Sequence, residues 1–294
     1  MRRDYNVAPM TEPPFLSPLE ETVAIVGVGL IGGSLAAALQ QRRVARHVIG
    51  VGRSASRMEE AKRAGLIDEA TTDLVYAAAQ ANVVVFCTPV EHVVDGVLAV
   101  VRHVRSGTLL TDAGSVKQPI CDALADVPCF IGSHPIAGSH RQGFEAADCQ
   151  LFNGRTCVLT PLPAFDAAQV SRLERFWQAV GMRTVQMSPN AHDRALAMTS
   201  HLPHVIATAL AATLTDENRG LTGTGFRDTT RIAAGDPELW SGILVQNAEH
   251  VVEGIDAVKQ LLEAYRTAIL SKDAVRIKEL LVEGQLRRAS LENP

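Results

Sequence analysis

The chain is poor in the features that would mark a secreted or metal-stapled protein. Its 294 residues hold five cysteines, Cys87, Cys121, Cys129, Cys149 and Cys157, an odd number with no C-x-x-C pair. Neither a disulfide framework nor a structural zinc site is expected, and the reduced cytoplasm is the expected compartment. Blocks of like charge are also missing. With a formal charge of −4 the sequence offers no electrostatic footprint for nucleic acid or an anionic membrane surface. No continuous apolar segment follows the arginines of "MRRDYNVAPMTEPPFLSPLEE", so residues 1–18 read as a flexible tail and not as a signal peptide. Residues 196–215 contain no Asp, Glu, Lys or Arg, which superficially suggests a membrane span. Two histidines, a proline and several threonines in that stretch argue instead for a buried helix of a soluble fold. A small molecule is the expected partner.

What is present is a change of rhythm along the chain. "ETVAIVGVGLIGGSLAAALQQRR" reads as a buried strand, a glycine turn and an Ala/Leu-rich helix, and "HVIGV" as the next strand. Further buried strands are expected in "NVVVFCTP", "GTLLTDAG", "CFIGSHP" and "TCVLTP", separated by helical patterns such as 116–125 and 166–180. Strands alternating with helices imply an α/β fold, a Rossmann-type doubly wound and mainly parallel sheet. Beyond "TVQMSPNAHD" strand signals stop and long helical periodicities take over, including 191–215 and 237–270. The expected division is a dinucleotide-binding domain at 19–188 and an all-helical domain at 189–294, with no room for a further regulatory unit.

The glycine turn is Gly27-Val28-Gly29-Leu30-Ile31-Gly32, placed between a strand and a helix as a dinucleotide fingerprint requires. Gly27 permits the tight turn, Gly29 lets backbone approach a pyrophosphate, and Gly32 allows close helix packing. The amides from Leu30 and Ile31 onward would face the anion. Thr88, closing "NVVVFCTP", joins the cofactor set at the same sheet edge. At the end of the second strand, Gly52 stands where a carboxylate would hold the ribose hydroxyls of NAD. Arg53, Ser54 and Arg57 follow, a set suited to a ribose 2′-phosphate, so NADP is the expected cofactor with NAD as the alternative.

Two later segments, "TDAGSVK" and "GSHPIAG", fall at the carboxyl edge where the nicotinamide belongs. Together with "GVGLIGGSLA", "LFNGRTCVLTP", "SHLPH" and "GFRDTTRIA", in that order, the chain resembles the prephenate/arogenate dehydrogenase family of tyrosine biosynthesis. The resemblance implies a nucleotide-binding domain followed by a helical dimerisation domain, hence a homodimer. It implies oxidation of a cyclohexadienol with loss of the ring carboxylate. Histidine suits that step because its pKa lies near neutrality. By the resemblance His134 is the base, Ser115 hydrogen-bonds the same hydroxyl and positions the nicotinamide, Arg231 holds the ring carboxylate, and His204 contacts the substrate side chain. His201 reads as structural. Ser115 is also read as a helix N-cap, and Asp228 as an i,i+3 ion-pair partner of Arg231.

One position departs from the family pattern. His140 stands where many members carry an acidic residue after "HPxxG", which favours the keto-acid side chain of prephenate over the ammonium of arogenate. Other readings stay open: a different Rossmann-plus-helical dehydrogenase, or a nucleotide-sensing protein without catalysis. The former would want a catalytic lysine that "SPNAHDRALAMTSHLPH" lacks, and the latter would have no use for Ser115, His134 and Arg231 together.

Overall fold

A computed structural model describes residues 18–138, 141–163 and 165–291. The expected tail, apart from Pro18, and His140 both lie outside the described residues. Eight strands are described: β1 (Glu20–Val26), β2 (Ala45–Val51), β3 (Glu69–Thr71), β4 (Val83–Phe86), β5 (Leu109–Asp112), β6 (Phe130–Pro135), β7 (Thr156–Thr160) and β8 (Arg183–Gln186). They form one sheet in the order β3-β2-β1-β4-β5-β6-β7-β8. Pairing is parallel from β3 to β6 and between β7 and β8, but β6 and β7 run antiparallel.

Helices α1 (Leu30–Arg42), α2 (Ala55–Arg63), α3 (Leu74–Gln80), α4 (Val93–Val100), α5 (Gln118–Ala123) and α6 (Ala167–Val180) cover the sheet. The buried strands are apolar on both faces, which is why they read as continuous Val/Ile/Leu runs. Two cores result. One packs α1 and α6 through Leu35, Leu39, Leu173, Phe176 and Trp177 on one face. On the other, α3, α4 and α5 pack through Ala77, Val93, Val97 and Ile120.

The order reverses between β1 and β4, and the crevice at such a switch point is where ligands gather. The glycine turn closes β1 there.

Past β8 the described chain is helical: α7 (Pro189–Leu196), α8 (Leu202–Ala212), α9 (Thr224–Thr230), α10 (Pro237–Gln246), α11 (Ala248–Leu270) and α12 (Ala274–Ala289). A π-helical turn, Ala197–His201, joins α7 to α8, and such turns often sit at functional sites. The whole span Pro189–Ala212 is long and apolar enough to cross a membrane by length and composition. Its buried face carries His192, Asp193, His201 and His204, all hydrogen-bonded or ring-packed within the protein, as in a core helix. The helical periodicity expected over 237–270 is two helices divided at Asn247, whose side chain turns inward to the Asp193 carbonyl and His201 Nδ1.

Candidate active site

The glycine turn has the dimensions of a pyrophosphate cradle. Gly27 has φ of +93°, and a Cβ there would lie 2.9 Å from the Cys87 carbonyl oxygen. A Cβ on Gly32 would collide with the Gly27 carbonyl, whereas Gly29 faces open space. The N-terminus of α1 has no side-chain cap and no acidic residue in its first turn, leaving its amides for an anion. Beside the turn, Thr88 Oγ1 is buried with no partner among the described residues. Open space at Gly29, uncapped amides and an orphaned hydroxyl fit a nicotinamide dinucleotide.

At the adenosine end the three expected residues behave differently. Ser54 caps α2 by accepting from Arg57 N at 3.4 Å. Arg53 is exposed and makes no ion pair among the described residues. Arg57 is already engaged, 2.8 Å from Glu60 and 2.6 Å from Glu145, with its guanidinium 4.4 Å from the Phe144 ring centroid. The space near Gly52 is occupied by the Met58 thioether, 2.7 Å from where a Cβ would stand.

His134 lies near the end of β6 and is buried. Its strand is pinned from behind. Ser133 N donates to Asp112 Oδ1 at 3.0 Å, Trp177 Nε1 donates to Ser133 Oγ at 3.1 Å, and Lys117 Nζ donates to the Ser133 carbonyl at 3.0 Å. Lys117 also forms a fully buried ion pair with Asp112. Two buried charges are tolerable only when paired and hydrogen-bonded, and here each has further partners.

The imidazole itself is held by residues the sequence reading did not single out. His134 Nδ1 is 2.8 Å from His192 Nε2, and His192 Nδ1 is 2.7 Å from Asp193 Oδ1. Asp193 accepts two backbone amides as well, Lys117 N at 2.7 Å and Gln118 N at 2.8 Å. Facing three donors, its carboxylate acts as acceptor toward His192, which fixes the proton of His192 on Nδ1. Nε2 of His192 is then an acceptor, so His134 donates from Nδ1 and keeps its lone pair on Nε2. Burial pushes the His134 pKa well below its ordinary value, helped by His192, Lys117 and His201, so the ring stays neutral. The available signal was the His-Asp dipeptide in "SPNAHDRA", adjacent in sequence but meaningful only once α7 lies beside β6.

This arrangement also corrects one expectation. Ser115 does not cap α5: the helix begins at Gln118, Lys117 is its N-cap residue, and the first amides bond to Asp193. A carboxylate from α7 replaces the local hydroxyl because it satisfies two amides and orients His192 at once. Ser115 stays half-buried two residues before Lys117, close in sequence to the His134 support.

On the helical side His204 is buried and stacks on Trp240, with centroids 3.6 Å apart and planes within 8°. Its Nδ1, like Nε2 of His201, is buried with no protein partner. Burial lowers the pKa of both, that of His201 to about 4. The other nitrogen of His201 accepts from Asn247 at 3.0 Å, a structural contact. Arg231 opens a 3-10 turn, Arg231–Ala234, that packs on α8. Gly235 at its end lies against His204 and Trp240. The expected Asp228–Arg231 ion pair is not formed: both side chains are exposed, where a solvated i,i+3 pair gains little over hydration. Arg231 has no ion-pair partner among the described residues. Among the described residues no group of three His, Cys, Asp or Glu could hold a metal.

Comparison with known proteins identifies the family. Residues 35–186 match the nucleotide-binding domain of prephenate dehydrogenase, and residues 188–283 match its dimerization domain. The prephenate dehydrogenase of Bacillus subtilis is 32% identical, over 88% of this chain and 73% of its own length. The cyclohexadienyl dehydrogenase of Zymomonas mobilis is 33% identical, over 92% of this chain and 96% of its own. The crystal structure of Aquifex aeolicus prephenate dehydrogenase, in complex with hydroxyphenyl propionate and NAD+, superposes with a TM-score of 0.86 at 31% identity, covering 92% of this chain and 98% of that one. Two domain models in tandem, with relatives matched over most of both lengths, make this chain a dehydrogenase that belongs to the prephenate dehydrogenase family.

Proposed function

We propose that this chain oxidatively decarboxylates prephenate to 4-hydroxyphenylpyruvate in tyrosine biosynthesis, with hydride transfer to a nicotinamide dinucleotide. The single observation that carries the residue assignment is the Asp193–His192–His134 chain, which leaves a neutral imidazole with a free Nε2 lone pair. That nitrogen accepts the proton of the ring hydroxyl as the carbinol carbon gives up its hydride. The bound dinucleotide supplies the hydride acceptor. The C–CO2 bond then breaks, its electron pair aromatises the ring, and the proton on His134 returns to the phenolic oxygen, so CO2 leaves and no proton is released overall.

Arg231, a guanidinium without a partner among the described residues, is the cation for the substrate's ring carboxylate, and its fork suits a bidentate grip. The unpartnered Nδ1 of His204 meets the keto-acid side chain, with Trp240 fixing the ring plane. Ser115 shares the substrate hydroxyl with His134. For the cofactor we propose NADP ahead of NAD, on the free Arg53 and on the absence of a carboxylate at Gly52. Arogenate is the second substrate reading; His140 in place of an acidic residue favours prephenate.

The functional unit is a homodimer. Helices α11 and α12 leave Leu261, Leu262, Ile269, Leu270, Leu281 and Leu286 more than half exposed, an apolar face that a second copy would cover. Five free thiols accord with a cytoplasmic location. A kinetic matrix of NAD and NADP against prephenate and arogenate tests the proposal. Absence of turnover with every pair, from folded protein, would refute it.

A further inference from the structure

We propose that Glu145 sets the cofactor preference, by competing with the ribose 2′-phosphate of NADP for the Arg57 guanidinium. The inference rests on the reading of the β2 end as the adenosine-ribose site. It goes beyond that reading by naming a carboxylate that comes from elsewhere in the chain.

The usual way to disfavour a 2′-phosphate is an acidic residue at the end of the second strand, and that place holds Gly52. Here a carboxylate arrives from across the crevice. Glu145 lies in a 3-10 turn, Phe144–Ala146, between β6 and β7. The turn is seated on α1, where a Cβ on Gly33 would lie 3.2 Å from Phe144 Cβ. From that seat Phe144 lies under the Arg57 guanidinium and Glu145 binds it at 2.6 Å. Each partner reports the other: the Glu145 carboxyl is drawn below its ordinary range chiefly by Arg57, and the Arg57 guanidinium is raised chiefly by Glu145.

A 2′-phosphate brings between one and two negative charges and wants the same guanidinium fork. It must displace Glu145 or bind beside its charge, whereas the neutral diol of NAD meets no such competitor. Arg53, which has no ion-pair partner among the described residues, gives the phosphate a first foothold. Glu145 therefore withholds the second cation and keeps NAD usable.

The test is calorimetric titration of NADP+ and NAD+ into the full-length protein, alongside kcat/KM with each cofactor, for the native chain, Glu145→Gln, Arg57→Ala and the double variant. Glu145→Gln is expected to raise the NADP-to-NAD affinity ratio by roughly fivefold or more, the scale of one released charge-assisted contact at the surface. Arg57→Ala should abolish that gain in the double variant. An unchanged ratio in Glu145→Gln would overturn the inference, and so would an equal gain with Arg57 absent. Failure of the native chain to bind either dinucleotide would overturn it together with the cofactor reading. A shifted binding ratio without turnover of prephenate would leave it standing and remove only the proposed reaction.

Discussion

His192 touches neither the reacting atoms nor solvent, yet its replacement should slow the chemical step. In the resting site its Nε2 accepts from His134 Nδ1 at 2.8 Å. When His134, as the proposed base, takes the alcohol proton it becomes an imidazolium, and that hydrogen bond becomes charge-assisted in a buried setting. Such bonds contribute about 1.5–3 kcal/mol. His192→Leu removes the acceptor, strands a buried N–H, and lets the neutral ring put its proton on Nε2, where no base is then available. At 1.36 kcal/mol per factor of ten, kcat should fall by roughly 10- to 100-fold. The lost interaction strengthens only in the transition state, so KM for prephenate should stay put. His192→Gln retains an amide oxygen that can accept from Nδ1 and should recover part of the rate. The assay is steady-state formation of reduced nicotinamide, with thermal melts to show that each variant is folded. Full kcat in folded His192→Leu would refute the tautomer assignment, as would equal impairment of the Leu and Gln variants.

Acid should destabilise the fold through the same histidines. Burial lowers the pKa of His201 from 6.5 to about 4, so between those values the unfolded chain binds the extra proton. Stability is then full above about pH 6.5 and declines as pH falls through the window, by about 3 kcal/mol for His201 alone. His134, His192 and His204 shift in the same direction and add to the slope. Denaturant midpoints measured across that range should fall, and less steeply in His201→Gln; parallel slopes would contradict the assignment. For the substrate carboxylate, Arg231→Ala should raise KM for prephenate by roughly 10- to 100-fold, the value of a charged hydrogen bond. Arg231→Lys should recover only part of this, because an ammonium lacks the fork; an unchanged KM in Arg231→Ala would place the cation elsewhere.

The parts of the fold that could be read from sequence are those set by local rules. Continuous apolar runs such as "NVVVFC" can sit only in a sheet covered on both faces, and Gly27 to Gly32 can be a phosphate turn only between strand and helix. The reversal of β7 could not be read, since Thr156–Thr160 has the same buried pattern in either direction. Three-residue β3 is too short to show a period. In the site, His134 announced itself by its glycine and proline setting, but its partners did not. His192 is 58 residues away in sequence, and Arg57 meets Glu145 only because a turn after β6 folds back over α1.

Those long-range partners have a consequence for how the site is assembled. Asp193 spends one carboxylate on two tasks: it closes the first amides of α5, just beyond Ser115, and it orients the histidine that orients His134. Asn247 donates to the Asp193 carbonyl and Lys117 to the Ser133 carbonyl on β6, so α11, α7, α5 and β6 share one hydrogen-bonded cluster. The proposed base sits on the sheet while its proton is directed from the helical half. On that proposal a competent His134 exists only when α7 is docked against the sheet, so the packing of the two halves would be a condition of catalysis as well as of stability.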